Sequence, residues 1–227
     1  KNKNYPMIEW AKDLFPICRS ITGEGLRKTI YYLKNINPNI KMLTFKSGTK
    51  VFDWNIPEEW NIKDAYIEDE SKKKYAQFSK SSLHVVNYSV PVDKWVSKAE
   101  LLKHIHTVKK MPDAIPYVTT YYKKNWGFCL SENEKNSLPN GKFRVFINSS
   151  LKKGNLNLAE AKLDGKTKKE IFFSTNICHP SMANNELSGP VLLSALIKYI
   201  KDSHKNNYYS YRFIFTPEAI GSIAYLS

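Results

Sequence analysis

The sequence of 227 residues contains no long hydrophobic run. Its longest apolar stretch, residues 191–197, is interrupted by Ser194 and is far shorter than the roughly 20 residues of a membrane-spanning helix. No apolar signal-peptide core follows the first residues. Glycine and proline number only 9 and 11, which excludes collagen-like and low-complexity sequences. We therefore predict a globular chain without a membrane partner.

Cysteine is also rare, with Cys18, Cys129 and Cys178 far apart in the chain. An odd number of widely spaced cysteines without a CxxC pair excludes a disulfide framework. Reduced thiols are typical of the cytosol, so we predict a cytoplasmic protein.

Acidic residues are too few to balance the basic ones. The sequence has 35 Lys and Arg against 21 Asp and Glu, which gives a net charge of +14. Such an excess can indicate a nucleic-acid partner. However, the arginines are few (Arg19, Arg27, Arg144 and Arg212), and bidentate recognition of phosphates and bases favours Arg over Lys. We keep nucleic-acid binding as a competing hypothesis and do not expect such a partner.

The hydrophobic pattern changes twice along the chain. Residues 5–35 have the spacing of two amphipathic helices. Residues 41–170 contain short alternating runs separated by turn residues, which indicates mostly β structure. We predict an α/β domain formed by residues 1–40 and 166–227, with a β-rich subdomain inserted at 41–165.

The last third of the chain has the pattern of a βαβ unit. Residues 171–178 form an apolar run typical of a strand buried on both faces. A helix begins near Pro190, polar residues 201–208 form a return loop, and residues 211–216 form a second strand. Such a unit places its two strands parallel in one sheet.

Polar side chains follow both of these strands. His179 comes directly after the first strand, Glu218 follows the second, and Asn184, Asn185 and Glu186 precede the helix. Because ligands bind beyond the carboxyl ends of parallel strands, we expect His179 and Glu218 to meet at one small site. Imidazole, carboxylate and amide donors suit zinc, and a free carboxylate beside the ion suits a general base. The spacing alone also allows ordinary capping or loop residues.

The remaining histidines and Cys178 have simpler interpretations. We predict His84 as a residue of an apolar strand, His104 and His106 as residues of a lysine-rich helix end, and His204 as a loop residue. Cys178 alternates with His179 along the strand, so we predict a core-facing side chain and not a nucleophile.

Several motifs resemble those of a bacterial family of aminopeptidase-like domain proteins, long described as a domain of unknown function. The resemblance covers nearly the whole chain. The matching segments are residues 15–27 (FPICRSITGEGLR), 51–54, 82–86, 115–119, 121–122, 126–129, 178–190 (CHPSMANNELSGP) and 215–222 (FTPEAIGS).

That family is similar to the zinc exopeptidases, so the resemblance implies a mixed α/β sheet with helices on both faces plus an inserted mostly β subdomain. It also implies one or two zinc ions and a metallopeptidase-like hydrolase acting on a peptide or a small amide-bearing substrate. His179 matches the first histidine ligand, and Glu218 matches the general base. Asn185 stands where those enzymes carry a metal-bridging Asp, with Glu186 as a substitute beside it, and Ala219 stands where they carry a zinc-binding Glu. Alternatively, Glu218 is itself a ligand.

These two departures leave a second function open, a catalytically degenerate binding or regulatory module of the same fold. The resemblance also implies a link to the biosynthesis of surface polysaccharides. It further implies additional segments after residue 227, so we expect this chain to be a fragment that lacks part of its sheet and exposes a strand edge. The sequence does not indicate an oligomeric state.

Overall fold

The computed structural model describes residues 5–203 and 207–227. The chain divides into two compact units, Lys1–Glu59 with Lys153–Ser227 and Trp60–Lys152. His204, predicted in a loop, lies outside the described residues. Within these residues, no helix has the length and apolar character needed to cross a membrane.

The described residues form seven α-helices, twelve strands and a short 3-10 helix. In chain order they are α1 (Met7–Leu14), α2 (Glu24–Ile36), β1 (Lys41–Lys46), β2 (Lys50–Val51), β3 (Trp54–Asn55), β4 (Glu59–Asp69), β5 (Lys74–Tyr75), the 3-10 helix (Ser82–His84), β6 (Val92–Ser97), α3 (Lys98–Leu102), β7 (Ile105–His106), β8 (Phe128–Cys129), α4 (Glu132–Asn136), β9 (Lys142–Lys152), β10 (Asn155–Leu163), β11 (Glu170–Asn176), α5 (Ala183–Glu186), α6 (Ser188–Ser203), β12 (Ser210–Thr216) and α7 (Ile220–Leu226).

The first unit contains a mixed sheet with the strand order β1-β10-β12-β11. β1 and β12 each pair with β10 in antiparallel register, whereas β11 and β12 are parallel, with Phe173 opposite Phe213. The helix α6 connects these two parallel strands. The predicted βαβ unit is therefore confirmed, although α6 continues to Ser203, into the segment predicted as a return loop.

Helices cover both faces of this sheet, as predicted. Phe213 and Phe215 of β12 belong to the core that also contains residues of α1, α2 and α6. Side chains alternate between the faces of a strand, so Arg212 points to the opposite face. There it contacts the hydroxyl of Tyr225 in α7, at 3.1 Å.

The prediction that the first strand of the βαβ unit is buried on both faces is wrong. β11 is the last strand in the sheet order and is mostly exposed, with Ile171 37% and Phe172 53% exposed. An apolar run predicts a strand, but it does not reveal how many neighbours the strand has or which layers cover it. Burial begins at its carboxyl end, where Ile177 and Cys178 are fully buried.

The structural boundaries also differ from the predicted domain boundaries. β1 and β10, which the alternating pattern assigned to the insertion, lie in the sheet of the first unit. Alternation of apolar and polar residues identifies a half-buried strand, but it does not determine which sheet the strand joins. The second unit is accordingly shorter, at residues 60–152.

The second unit is mostly β structure around its own core. Its four-stranded sheet has the order β5-β4-β9-β6, and β7 pairs with β8. Phe128, Phe143 and Val145 are fully buried in this core. Ser97 caps α3 by accepting a hydrogen bond from the backbone N–H of Glu100 at 3.2 Å.

Candidate active site

The candidate site lies at the carboxyl ends of the two parallel strands. β11 ends at Asn176 and β12 at Thr216, and these two residues are register partners. His179 and Glu218 follow within three residues and therefore emerge at the same edge of the sheet. Gly189 allows α6 to begin directly against β11, because a Cβ atom there would overlap the Thr175 hydroxyl.

The side chains of His179 and Glu218 meet at this edge. Nε2 of His179 lies 3.3 Å from Oε2 of Glu218. The imidazole is 11% exposed and the Glu218 side chain 56% exposed, so the pair has a buried and a solvent-facing member. The predicted convergence of the two residues is confirmed, whereas their chemical roles stay predictions.

Glu186 lies on the other side of the same imidazole. Its Oε1 is 2.9 Å from His179 Nδ1, and its side chain has no exposed surface. Its second oxygen accepts a hydrogen bond of 2.6 Å from the backbone N–H of Cys178. Asn185, the preceding residue of α5, is exposed. The structure thus brings three of the four predicted site residues into one contact chain and leaves Asn185 facing solvent.

Cys178 connects the two loops of the site. Its backbone holds Glu186, and its Sγ accepts a hydrogen bond of 3.2 Å from the backbone N–H of Glu218. The side chain is fully buried, as predicted. Burial, with a further contribution from the nearby Glu186 carboxylate, raises the pKa of the thiol above its ordinary value. A thiol that is both buried and protonated is a poor nucleophile.

Arg19 is a site residue that sequence reasoning missed. It is fully buried, with its Nε donating to the carbonyl oxygen of His179 at 3.1 Å and its Nη1 to that of Leu14 at 2.7 Å. Burial lowers the pKa of the guanidinium, and Glu186 is the nearby charge that opposes this shift most. Arg19 lies inside the 15–27 motif, but no periodicity distinguishes a buried arginine from a surface one.

The backbone at Ala219 is strained. This residue has φ 55° and ψ −77°, and the N–H of Ile220 donates to the carbonyl oxygen of Glu218 at 2.7 Å. These values describe a γ-turn of the rare form with positive φ. Ser181, two residues after His179, also has a positive φ of 51°. Such strain persists only where surrounding structure enforces it, and it concentrates at functional sites.

Zinc fits the donors of this site in two ways. Cys178, His179 and Glu186 each offer a ligand atom within 4.8 Å of the others, the one such group among residues 5–203 and 207–227. On the other side of the imidazole, His179 Nε2 and Glu218 Oε2 are 3.3 Å apart. Two ligands of a tetrahedral zinc ion, each about 2.1 Å from it, are about 3.4 Å apart, so this separation suits Glu218 as a second ligand as well as a base beside the ion. If zinc binds between His179 and Glu218, the buried thiol of Cys178 stays protonated and the ion faces solvent.

His84, His104 and His106 lie in the second unit. His84 is buried, with its Nδ1 2.9 Å from the carbonyl oxygen of Cys129, but it lies in the 3-10 helix and not in the predicted strand. His104 stacks on Trp126 with 3.7 Å between ring centroids. His106 is exposed at the end of β7, and the described part of the chain gives it no place in a group of metal-ligand side chains.

Residues 8–227 match the family described as "Domain of unknown function (DUF4910)". A Clostridium acetobutylicum protein named for polysaccharide biosynthesis and an aminopeptidase-like domain is 47% identical over 223 residues, which are 98% of this chain and 50% of that protein. A crystal structure described as a peptidase from the same organism is 45% identical, with a TM-score of 0.94, and the match covers 97% of this chain and 51% of the other. The chain therefore spans about half the length of these relatives.

The fold is also found among zinc aminopeptidases. The zinc aminopeptidase BSAP from Bacillus subtilis aligns with a TM-score of 0.59 at 9% identity, over 100% of this chain and 66% of that enzyme. At this identity the likeness shows the fold alone. The predicted fold class, an aminopeptidase-like mixed α/β sheet with helices, is confirmed.

Proposed function

Because the chain belongs to the DUF4910 family and its matched relative is named for an aminopeptidase-like domain, we propose that it carries the metal site of a zinc-dependent hydrolase of amide bonds. His179 holds the ion through Nε2, and Glu218 acts beside it as the general base. The observation that carries the proposal is the 3.3 Å separation of these two groups at the carboxyl edge of the sheet.

The two residues divide the chemistry between them. When bound, zinc supplies Lewis acidity, which favours deprotonation of water and polarises a carbonyl group. Glu218 is 56% exposed and reaches both solvent and the imidazole. Its carboxylate accepts the proton of the attacking water as the oxygen adds to the carbonyl carbon. It then gives that proton to the leaving nitrogen when the carbon–nitrogen bond breaks.

One zinc ion fits this chain better than two. The bridging position carries Asn185, whose neutral amide is a weaker zinc donor than a carboxylate, and the position after Glu218 carries Ala219, which has no donor. Glu186 is the remaining candidate ligand, but both of its oxygens already have partners. The free cysteines favour a reducing compartment, so we place the protein in the cytoplasm.

The substrate class follows from the relatives' names. A peptide is the first candidate, and the amide of an amino sugar is the second because one relative is named for polysaccharide biosynthesis. The same missing donors at Asn185 and Ala219 support the second function, a binding module of this fold without catalysis.

Metal titration with two variants tests the proposal. Stoichiometric zinc binding by the 227-residue chain, lost in His179→Ala and kept in His104→Ala, is expected. Glu218→Gln should keep zinc and lose about 10²–10⁴-fold in hydrolysis of amide substrates, the usual contribution of a general base. Glu9→Gln is the matched control, because that side chain is 64% exposed.

The outcomes separate the alternatives. If Glu218→Gln loses zinc as well, Glu218 is a ligand and the proposed base is wrong. If the folded chain binds zinc but hydrolyses neither peptide nor acetylated amino-sugar substrates, the binding module is favoured. If it binds no zinc, the proposed function is refuted.

A further inference from the structure

The connection between β7 and β8 is a long loop of the second unit. Residues 107–127, all of which the structure describes, contain no helix or strand. The loop is fixed by backbone hydrogen bonds: the N–H of Asn87 donates to the carbonyl oxygen of Val118 at 2.8 Å, and the N–H of Thr120 donates to that of Asn87 at 2.9 Å. Such long loops without secondary structure are uncommon in compact domains, and the ordered ones are usually functional.

A chain of aromatic rings runs from buried residues of this unit to the surface of the loop. Trp60 and Tyr88 are both 3% exposed and stack with 5.8 Å between their ring centroids. The ring of Tyr121 meets that of Tyr88 edge to face at 5.1 Å. It lies 6.4 Å from the ring of Tyr122, which is 73% exposed. The buried rings therefore support the turn that presents Tyr122 to solvent.

The backbone beneath this turn is strained. Tyr88 has φ 71°, a left-handed value that is rare for a bulky residue and persists only where the surrounding structure enforces it. The carbonyl oxygen of the next residue, Ser89, accepts hydrogen bonds from Trp60 Nε1 at 2.9 Å and from the Ser149 hydroxyl at 2.7 Å. These bonds hold the strained segment in place under Tyr121.

The loop is also rich in hydroxyl groups. Residues 117–122 include three Tyr and two Thr. The hydroxyls of Tyr117 and Tyr121 lie 2.8 Å apart in a hydrogen bond in which either can be the donor. Because a hydroxyl both donates and accepts, such a surface suits a ligand that carries hydroxyl groups of its own.

Positive charge follows directly after the exposed ring. Lys123 and Lys124 are both exposed, and no acidic residue occurs between positions 114 and 131. The hydroxyl of Thr120 donates to the carbonyl oxygen of Lys123 at 2.6 Å, which fixes the backbone of Lys123 beside the turn. An anionic group on a ligand that contacts Tyr122 would therefore meet an ammonium group.

These features together match one class of ligand. The C–H groups on one face of a sugar ring pack by dispersion against an exposed aromatic ring. We propose that residues 117–124 bind an anionic sugar, which stacks on Tyr122 and places its carboxylate or phosphate group against Lys123. The proposal does not depend on the proposed function, because its test measures neither zinc nor hydrolysis.

A single-stranded nucleic acid is the competing ligand, because bases also stack on aromatic rings. Residues 107–127 contain no arginine, however, and bidentate recognition of phosphates and bases favours Arg over Lys. The hydroxyl-rich turn and the absence of arginine together favour the sugar.

NMR titration of the ¹⁵N-labelled 227-residue chain tests the site. The probes are trigalacturonate, which carries carboxylates, glucose 1-phosphate, and the neutral sugar maltotriose. At least one anionic probe is expected to bind about tenfold more tightly than maltotriose and to shift backbone amides within residues 117–125. The anionic probe that binds more tightly identifies the group, carboxylate or phosphate, that meets Lys123. If neither anionic probe binds at about 10 mM, the proposal is wrong.

Variants of the turn locate the contact. Tyr122→Ala is expected to weaken binding of the anionic probe about 5–30-fold, whereas Tyr122→Phe, which keeps the ring, should stay within about twofold of wild type. Tyr31→Ala is the matched control, because Tyr31 is 50% exposed on α2. Lys123→Gln should weaken binding about tenfold, with Lys63→Gln, an exposed lysine of β4, as its control.

Three further results would overturn the proposal. They are unchanged affinity of folded Tyr122→Ala, amide shifts that lie only outside residues 117–125, and tighter binding of oligothymidylate than of either anionic sugar. Because Tyr122 is 73% exposed, its variants should fold, and their amide spectra outside the loop check this.

Discussion

Replacing Arg19 by Met removes a fully buried positive charge, on which Glu186 is the nearby acidic group with the largest electrostatic effect. The side chain of Arg19 is fully buried, and Met fills a similar volume with apolar atoms. The two hydrogen bonds to the carbonyl oxygens of Leu14 and His179 disappear at the same time. The substitution therefore tests the electrostatic arrangement behind the site more than its packing.

The expected loss is large on the scale of protein stability. Hydrogen bonds from a charged donor contribute about 1.5–3 kcal/mol each. The two hydrogen bonds of Arg19 to carbonyl oxygens therefore predict a loss of about 3–6 kcal/mol for Arg19→Met. Because domains unfold at a total cost of about 5–15 kcal/mol, the variant should be clearly destabilised.

Equilibrium denaturation in urea, followed by tryptophan fluorescence and circular dichroism, measures this cost. The double variant Arg19→Met/Glu186→Gln replaces both charges, so its loss should be smaller than the sum of the single losses by about 1–3 kcal/mol. Arg144→Met is the control, because its partner Asp93 is half exposed, and it should be far milder. A double variant whose loss equals the sum, or an Arg19→Met chain as stable as wild type, would refute the electrostatic coupling of Arg19 and Glu186.

Three further predictions follow from local geometry. Ala219→Gly should relieve a backbone strain of about 1–3 kcal/mol. The greater freedom of glycine in the unfolded chain offsets about 0.5–1 kcal/mol of this gain in stability. The melting temperature should therefore rise or stay unchanged, and a clear fall would contradict the strained turn. Gly189→Ala places a Cβ against the Thr175 hydroxyl and should cost about 1–3 kcal/mol, most of which Thr175→Ala should restore in urea denaturation. If Thr175→Ala restores no stability to Gly189→Ala, the added Cβ overlaps with a group other than the Thr175 side chain. The Arg212 guanidinium lowers the pKa of Glu170 from 4.5 to about 2. Because the folded pKa is the lower one, this contribution is complete above pH 4.5 and is lost as the pH falls to about 2. Glu170→Gln should make the melting temperature less dependent on pH across that window. An unchanged dependence of the melting temperature on pH would argue against the Glu170–Arg212 pair.

The βαβ unit could be predicted because its signals are local. The apolar run before His179, the helix start near Pro190 and the second apolar strand each follow from a few neighbouring residues. The exposure of β11 and the membership of β1 and β10 in its sheet depend on pairing between distant strands. No single-sequence period contains that information.

The site divides in the same way. His179 and Glu218 could be predicted to converge, because topology places residues after parallel neighbouring strands at one edge. The contact of Glu186 with Nδ1 of His179, and the burial of Arg19, depend on side-chain placement, and 160 residues separate Arg19 from His179. Charged residues are rarely fully buried, so sequence reasoning assigns them to the surface by default.

X-ray absorption at the zinc edge, on the chain loaded with one equivalent of zinc, tests the metal position most directly. With His179 Nε2 as the ligand beside Glu218, the spectrum should show nitrogen and oxygen scatterers at about 2.0–2.2 Å, with the outer shells of an imidazole that disappear in His179→Ala. A sulfur scatterer at about 2.3 Å would place the ion at Cys178 and contradict the account.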